Sequence, residues 1–189
     1  MNTEEIFKEL AGHMIQGMMF HDEMANYYEF LGLTGYARCH EYHFIDETCS
    51  YRKLCKYYIS HENRLVPYVE VEDPEAIPES WYKYSRQEVD ASTKKNAVKS
   101  GLEKWVAWEK ETKELYEKMY KELVSVDAIA DAKFVAKLIH DVDCELAKAE
   151  KYHLAKSAIG YDMIEVVNEQ DEKCEHYTNK MKGALERLC

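Results

Sequence analysis

The chain is poor in the residues that build loops. Glycine occurs 7 times and proline 3 times in 189 residues, which excludes Gly-rich phosphate-binding loops, propellers and turn-rich β-sandwiches. No two cysteines stand in a CxxC spacing: the six lie at positions 39, 49, 55, 144, 174 and 189. That distribution is neither a zinc ribbon nor a disulfide framework, so reduced thiols in a cytoplasm are expected. No apolar run is long enough for a membrane span, and the start Met1-Asn2-Thr3-Glu4-Glu5 lacks the basic and apolar segments of a signal peptide. Positive charge is also scarce, with 25 Lys and Arg against 36 Asp and Glu, a net −11. Net charge will therefore not hold this chain on nucleic acid or on an anionic membrane; it keeps the protein soluble and suits traffic in cations.

Ala, Glu, Lys, Leu and Met are plentiful, which favours helices, and 46% apolar residues suffice for a core. All three prolines fall between positions 67 and 78 and divide the chain. Two helices are expected before them, about 3–31 and 36–62, broken at Gly32-Leu33-Thr34-Gly35. A long connection runs from Pro67 to about Asp90, with Pro74, Pro78 and Trp81-Tyr82-Lys83-Tyr84 to anchor it. A third helix is expected over about 92–124 with Ser92 or Thr93 as N-cap, and a fourth over 128–157, capped by Asp127 and ended by Gly160. A fifth covers 162–187.

Short links make the first two helices antiparallel neighbours, and likewise the third and fourth. The long connection either crosses the length of a bundle, so that the third helix begins at the end where the first began, or is a flexible linker between two hairpins. A lone hairpin buries too little to favour the linker. The chain thus reads as all-α: a four-helix bundle over residues 1–160 with one long crossover between its second and third helices, plus a C-terminal helix, 161–189. In that last helix Ile164, Val167, Asp171, Cys174, Tyr177, Met181 and Leu185 form a mostly apolar row, expected to pack on the bundle or on a neighbouring subunit.

Polar residues on apolar stripes mark candidate chemistry. The third helix carries Val98, Leu102, Trp105, Glu109, Thr112, Tyr116, Met119 and Leu123 on one face, with Glu109 at its middle. Burying a lone carboxylate costs several kcal/mol, so a cation or a proton must accompany it. The second helix repeats the anomaly: Tyr36, His40, Phe44, Glu47, Tyr51, Leu54 and Tyr58 share a face, and His43 sits one turn before Glu47. The first helix offers His21 among Met14, Met18, Ala25 and Tyr28, with His13 on the next row. The fourth offers Phe134, Leu138, Val142, Glu145, Ala149 and Tyr152, with His140, Asp143 and Cys144 on adjoining rows. Carboxylates and imidazoles projecting from several helices are what a di-iron or di-manganese site in a bundle requires. Each histidine also has a plainer reading, a hydrogen-bonded core residue. Met14, Met18, Met19 and Met24 read as core filler and Tyr51, Tyr57 and Tyr58 as packing groups.

At these residues the chain resembles the ferritins. Gly32-Leu33-Thr34-Gly35-Tyr36-Ala37, followed by Glu47 and Leu54, is similar to the junction of the first two ferritin helices and to the second helix. Trp81 is similar to a residue of the ferritin crossover, Leu102-Glu103-Lys104 leading to Glu109 to the third ferritin helix, and the segment from Phe134 to the fourth. The likeness covers about residues 10–155. It implies a ferritin-like four-helix bundle, an assembly of identical subunits, and iron (or manganese) as the metal, without haem. Glu47 would bridge two irons and Glu109 would bind the second. Where the family has Glu-x-x-His, this chain has Glu47-Thr48-Cys49-Ser50, and the first-helix Glu falls at Met14. The fourth-helix ligand falls near Asp143. His21, His40, His43 and His140 are the substitutes at hand.

Two functions are consistent with this pattern. In one, iron(II) is bound by Glu47, Glu109, His21, His40 and His43 with His140 or Asp143, and oxidised by oxygen or peroxide in a ferroxidase-type reaction linked to iron storage. In the other, a ferritin-like scaffold without a metal site acts through protein contacts.

Overall fold

A computed structural model describes residues 1–77, 81–82 and 84–188, the side chains of 87, 187 and 188 excepted. Pro78 and Lys83 of the crossover lie outside the described residues. Four long helices form the bundle: α1 (Thr3–Phe30), α2 (Thr34–Glu62), α3 (Ala91–Ser125) and α4 (Ile129–Ala158). Two shorter α-helices follow among the described residues, α5 (Met163–Asn168) and α6 (Gln170–Leu188).

Helix ends have local causes. Asn2 and Glu5 form a reciprocal capping box that starts α1, each side chain bonding the other's amide at 2.9 Å. Asp90, not Ser92 or Thr93, caps α3 by accepting from the Thr93 amide at 2.7 Å. Asp127 does not cap α4: its backbone is left-handed, with φ 60°, and the turn closes through the Ala128 amide on the Leu123 carbonyl at 2.9 Å. Gly160 and Tyr161 are both left-handed and turn the chain toward α5. The start of α2 has no cap of its own. Gln170 supplies it from far along the chain, its Oε1 accepting from the amides of Gly35 at 2.9 Å and Tyr36 at 3.2 Å. Gly35 has no room for a side chain, since a Cβ there would lie 2.6 Å from the Gln170 carbonyl oxygen.

The crossover is a fastened strap. Along it, Val69 packs on Gly12, Glu72 accepts from the Gln16 side chain, the Ala76 amide donates to Glu23, and Arg86 donates to the Glu29 carbonyl. These contacts climb α1 from its first half to its end. Consequently α3 begins where α1 ends, and its C-terminal half lies beside the start of α1, where Met1 pairs with Glu122 and Lys118 with Glu9. The sequence expectation had placed the start of the third helix at the opposite end. Because α2 returns to the start of α1, a bundle-length crossing must arrive at the far end.

The interior holds two apolar clusters. One joins Ile6, Phe7, Leu10, Met14, Leu54, Tyr58, Tyr116, Met119 and Leu123 to the first half of α4. The other joins Phe20, Met24, Tyr28, Tyr36, Val98, Leu102 and Trp105 to Ala149, Val166 and Tyr177. All eight residues of the α3 stripe are buried. On α2 the stripe breaks at Phe44, which is exposed.

The C-terminal segment is broken at Glu169 rather than continuous. Glu169 is bound by Lys156 Nζ at 2.6 Å and by the Tyr36 hydroxyl at 2.8 Å, and with Gln170 it clasps the segment to the bundle. The break shifts the inward row. Val166, Gln170, Tyr177 and Ala184 are buried, whereas Ile164, Val167, Asp171 and Leu185 of the expected row face solvent. From the clasp α6 runs along α2, and its Tyr177 hydroxyl meets that of Tyr152 on α4 at 3.0 Å. Among the described residues no helix is long and apolar enough to cross a membrane, and Cys39, Cys49, Cys55, Cys144 and Cys174 form no disulfide with one another.

Candidate functional site

Between the two apolar clusters, all four long helices turn polar side chains toward one another. α1 supplies His21; α2 supplies His40, His43 and Glu47; α3 supplies Trp105 and Glu109; α4 supplies Glu145 and Lys148. His21, His40, His43 and Glu109 are buried. The His21 ring lies 5.2 Å from that of His40 and 5.1 Å from that of His43, centre to centre, and the Trp105 indole lies across the latter two at 5.1 and 5.2 Å. Gly17 of α1 lets Glu47 close in: a Cβ there would stand 3.3 Å from the Glu47 carboxyl carbon.

The hydrogen bonds assign the imidazole protons. Lys148 Nζ donates to His43 Nε2 at 3.0 Å, so the His43 proton sits on Nδ1 and points at Glu145 Oε2, 3.2 Å away. Lys148 also donates to that same carboxylate oxygen at 3.1 Å. The Nδ1 atoms of His21 and His40 are 3.0 Å apart, and His21 Nε2 faces Glu109 Oε1 at 3.9 Å. One of these two Nδ1 atoms donates to the other. Trp105 Nε1 donates to the same Glu109 oxygen at 2.9 Å. His40 Nε2 is buried and has no hydrogen-bond partner among the described residues. Deeper along α1, His13 Nε2 donates at 2.7 Å to the Thr112 hydroxyl, which itself donates to the Trp108 carbonyl.

Burial sets the charge states. It lowers His40 to about 3 and His21 and His43 well below the ordinary imidazole range, with Lys148 and the neighbouring rings adding to the effect. All three are therefore neutral. Burial raises Glu109 to about 8 against the opposing pull of the Trp105 bond. It raises Glu47 strongly, and every charged neighbour acting on Glu47 is another carboxylate: Glu109, Asp46 and Glu145. Lys148 is different. Burial opposes its charge, but Glu145 and its other neighbours outweigh that and keep it an ammonium.

Of the residues singled out in the sequence, Glu47, Glu109, His21, His40 and His43 meet in this layer. His140 and Asp143 do not: both are exposed, and Asp143 pairs with Lys113 at 2.7 Å on the surface. They lie on rows adjoining the inward stripe of α4, so the helix carries them outward. The fourth-helix members of the layer are Glu145 and Lys148. Glu145 was visible to the same test that finds Glu109, a carboxylate on an apolar stripe. Lys148 carried no such signal. On the outer side of α1 and α3, under the strap, an open cavity of about 590 Å³ is lined by Glu9, Glu70, Glu72, Glu111 and Glu114, with Lys118 the one lysine or arginine of its lining among the described residues.

No protein-family model matches the chain, and no curated protein matches it in sequence. Its fold is nonetheless ferritin-like. A humanized archaeal ferritin superposes with a TM-score of 0.75 at 15% identity, over 90% of this chain and 94% of that one. An Archaeoglobus fulgidus ferritin engineered into a closed form gives 0.74 at 17% identity, over 90% and 93%. The open-pore ferritin of the same hyperthermophilic archaeon gives 0.74 at 15%, over 90% and 93%. At these identities the likeness establishes the architecture and nothing finer.

Neutral imidazoles and carboxyls are the donors a divalent transition metal takes, and the unpartnered, buried His40 Nε2 is a place for one. Yet among the described residues no three such groups converge on a common point. The donor set fits a cation in kind; the side chains stand apart, bonded to each other and to Lys148.

Proposed function

We propose that this chain is a ferritin-fold protein that binds iron(II) within its bundle, in exchange for protons, at Glu47 and Glu109 with His40 and His21 beside them. The observation that carries the reading is the company of Glu47. Glu109 is buried and Glu47 half-buried, on two different helices, and desolvation favours the protonated form of both, with neighbouring carboxylates adding to it at Glu47; those are protons that a dication could replace. The acidic cavity beside α1 and α3 raises the local concentration of cations. Bound iron(II) is here cargo; its oxidation by oxygen and the assembly of identical subunits belong to the same proposal.

Anaerobic calorimetric titration of chelator-treated protein with iron(II) tests it. Binding heat in the native protein that disappears in Glu47→Gln and Glu109→Gln is expected. A native protein that binds no iron(II) under these conditions overturns the reading.

A second reading, a scaffold acting through protein contacts, is favoured by Met14 and Ser50 at positions where the resemblance leads to ligands, and by a network that largely satisfies itself. Elemental analysis after growth in iron-rich medium separates the two, since the scaffold should carry only traces of metal.

A further inference from the structure

We propose that Lys148 is a tethered second cation, which limits the site to one metal ion. The inference rests on the reading that iron(II) binds at Glu47 and Glu109, and adds what sets the number of ions.

The ammonium stands where a metal would have to be. Its Nζ is 3.0 Å from His43 Nε2 and 3.1 Å from Glu145 Oε2, one imidazole nitrogen and one carboxylate oxygen from two different helices. Each of those atoms offers a lone pair that a metal would use, and an N–H of Lys148 takes it instead. His43 has no other lone pair to give, because its Nδ1 carries the proton directed at Glu145. The lysine is also held in place. It is largely buried, its Nζ lies 5.4 Å from the centre of the Tyr42 ring and 5.7 Å from that of Tyr177, and α6 brings the latter ring over it.

Removing the ammonium frees one imidazole nitrogen and one carboxylate oxygen together, on two different helices, for a second ion.

The test is the number of metal ions per chain. Chelator-treated full-length protein is dialysed anaerobically to equilibrium against iron(II), and in parallel against cobalt(II), whose visible absorption reports coordination. Native protein is compared with Lys148→Met, which keeps the side-chain length and its packing on Tyr42 and Tyr177. Lys148→Leu serves if the Met protein does not show a native circular dichroism spectrum. One ion per native chain and two per variant chain are expected. Two ions in the native protein, with Lys148 in place, overturn the inference and leave the iron(II) reading standing. No ion in the native protein but binding by the variant overturns the iron(II) reading and leaves Lys148 as the group that holds metal out. The same count in native and variant protein, zero included, overturns the inference.

Discussion

At the end of the bundle where α1 starts, Ile6, Phe7, Leu10, Leu54, Met119 and Leu123 fill the space between helices with fully buried apolar side chains. About three turns further along α1, the four long helices face one another with His21, His40, His43, Glu109 and, at the margin, Glu145 and Lys148. The first layer gains stability from every contact. The second holds neutral imidazoles and protonated carboxyls in a setting where each unpaired group is a liability. The contrast teaches that stability and chemistry are separated along the bundle axis, so that the polar layer is tolerated because apolar layers bracket it on both sides.

This separation can be broken most forcefully at the apolar end. Leu10→Ala should lower stability by about 2–5 kcal/mol, the range for a fully buried leucine, and leave the iron(II) count unchanged. Urea denaturation and metal dialysis on the same protein read both, and a loss of metal binding by the folded variant would show that the layers are not independent. The middle layer should respond to pH instead. Glu109 is raised from 4.5 to about 8 in the folded chain, so the folded state keeps a proton that the unfolded state releases. Its contribution to stability is complete below about pH 4.5 and is lost as pH rises through about 8, a change of a few kcal/mol in metal-free protein. Glu109→Gln keeps an acceptor for Trp105 and removes the ionisation, so denaturation curves measured across that interval should lose this slope. Should Glu109 instead be half of a structural ion pair, the variant would lose about 3–5 kcal/mol throughout. The smallest effect belongs to the surface of α4: His140→Ala and Asp143→Asn should leave both the melting temperature and the metal count where they were.

Those last two residues also mark where the sequence stops being informative. The α3 stripe was legible in full, because a 35-residue helix with one apolar face has only one way to lie against a bundle, and Glu109 followed from it. Glu47, His21, His40 and His43 followed from the same periodicity. On the fourth helix the resemblance led to Asp143, which is exposed, whereas the stripe itself contained Glu145, which lies against His43. Lys148 was invisible for a different reason: a lysine beside an apolar row reads as a solvent-facing residue, and only the packing of α6 over it, with Tyr177 and Tyr42 around its head, turns it inward. The break at Glu169 was hidden likewise, since Lys156 and Tyr36, which fix it, lie on other helices.

Gln170 has a consequence for how the protein comes into being. The first turn of α2 is completed by a side chain 135 residues downstream of Gly35, so while the chain is being synthesised the opening hairpin must wait, two amides turned to water, until nearly everything else has been made. A contact of such long sequence separation forms late in folding. A chain interrupted before residue 170 would therefore present four good helices with an open seam at the α1–α2 junction, and that seam is where a quality-control protease would find its first foothold.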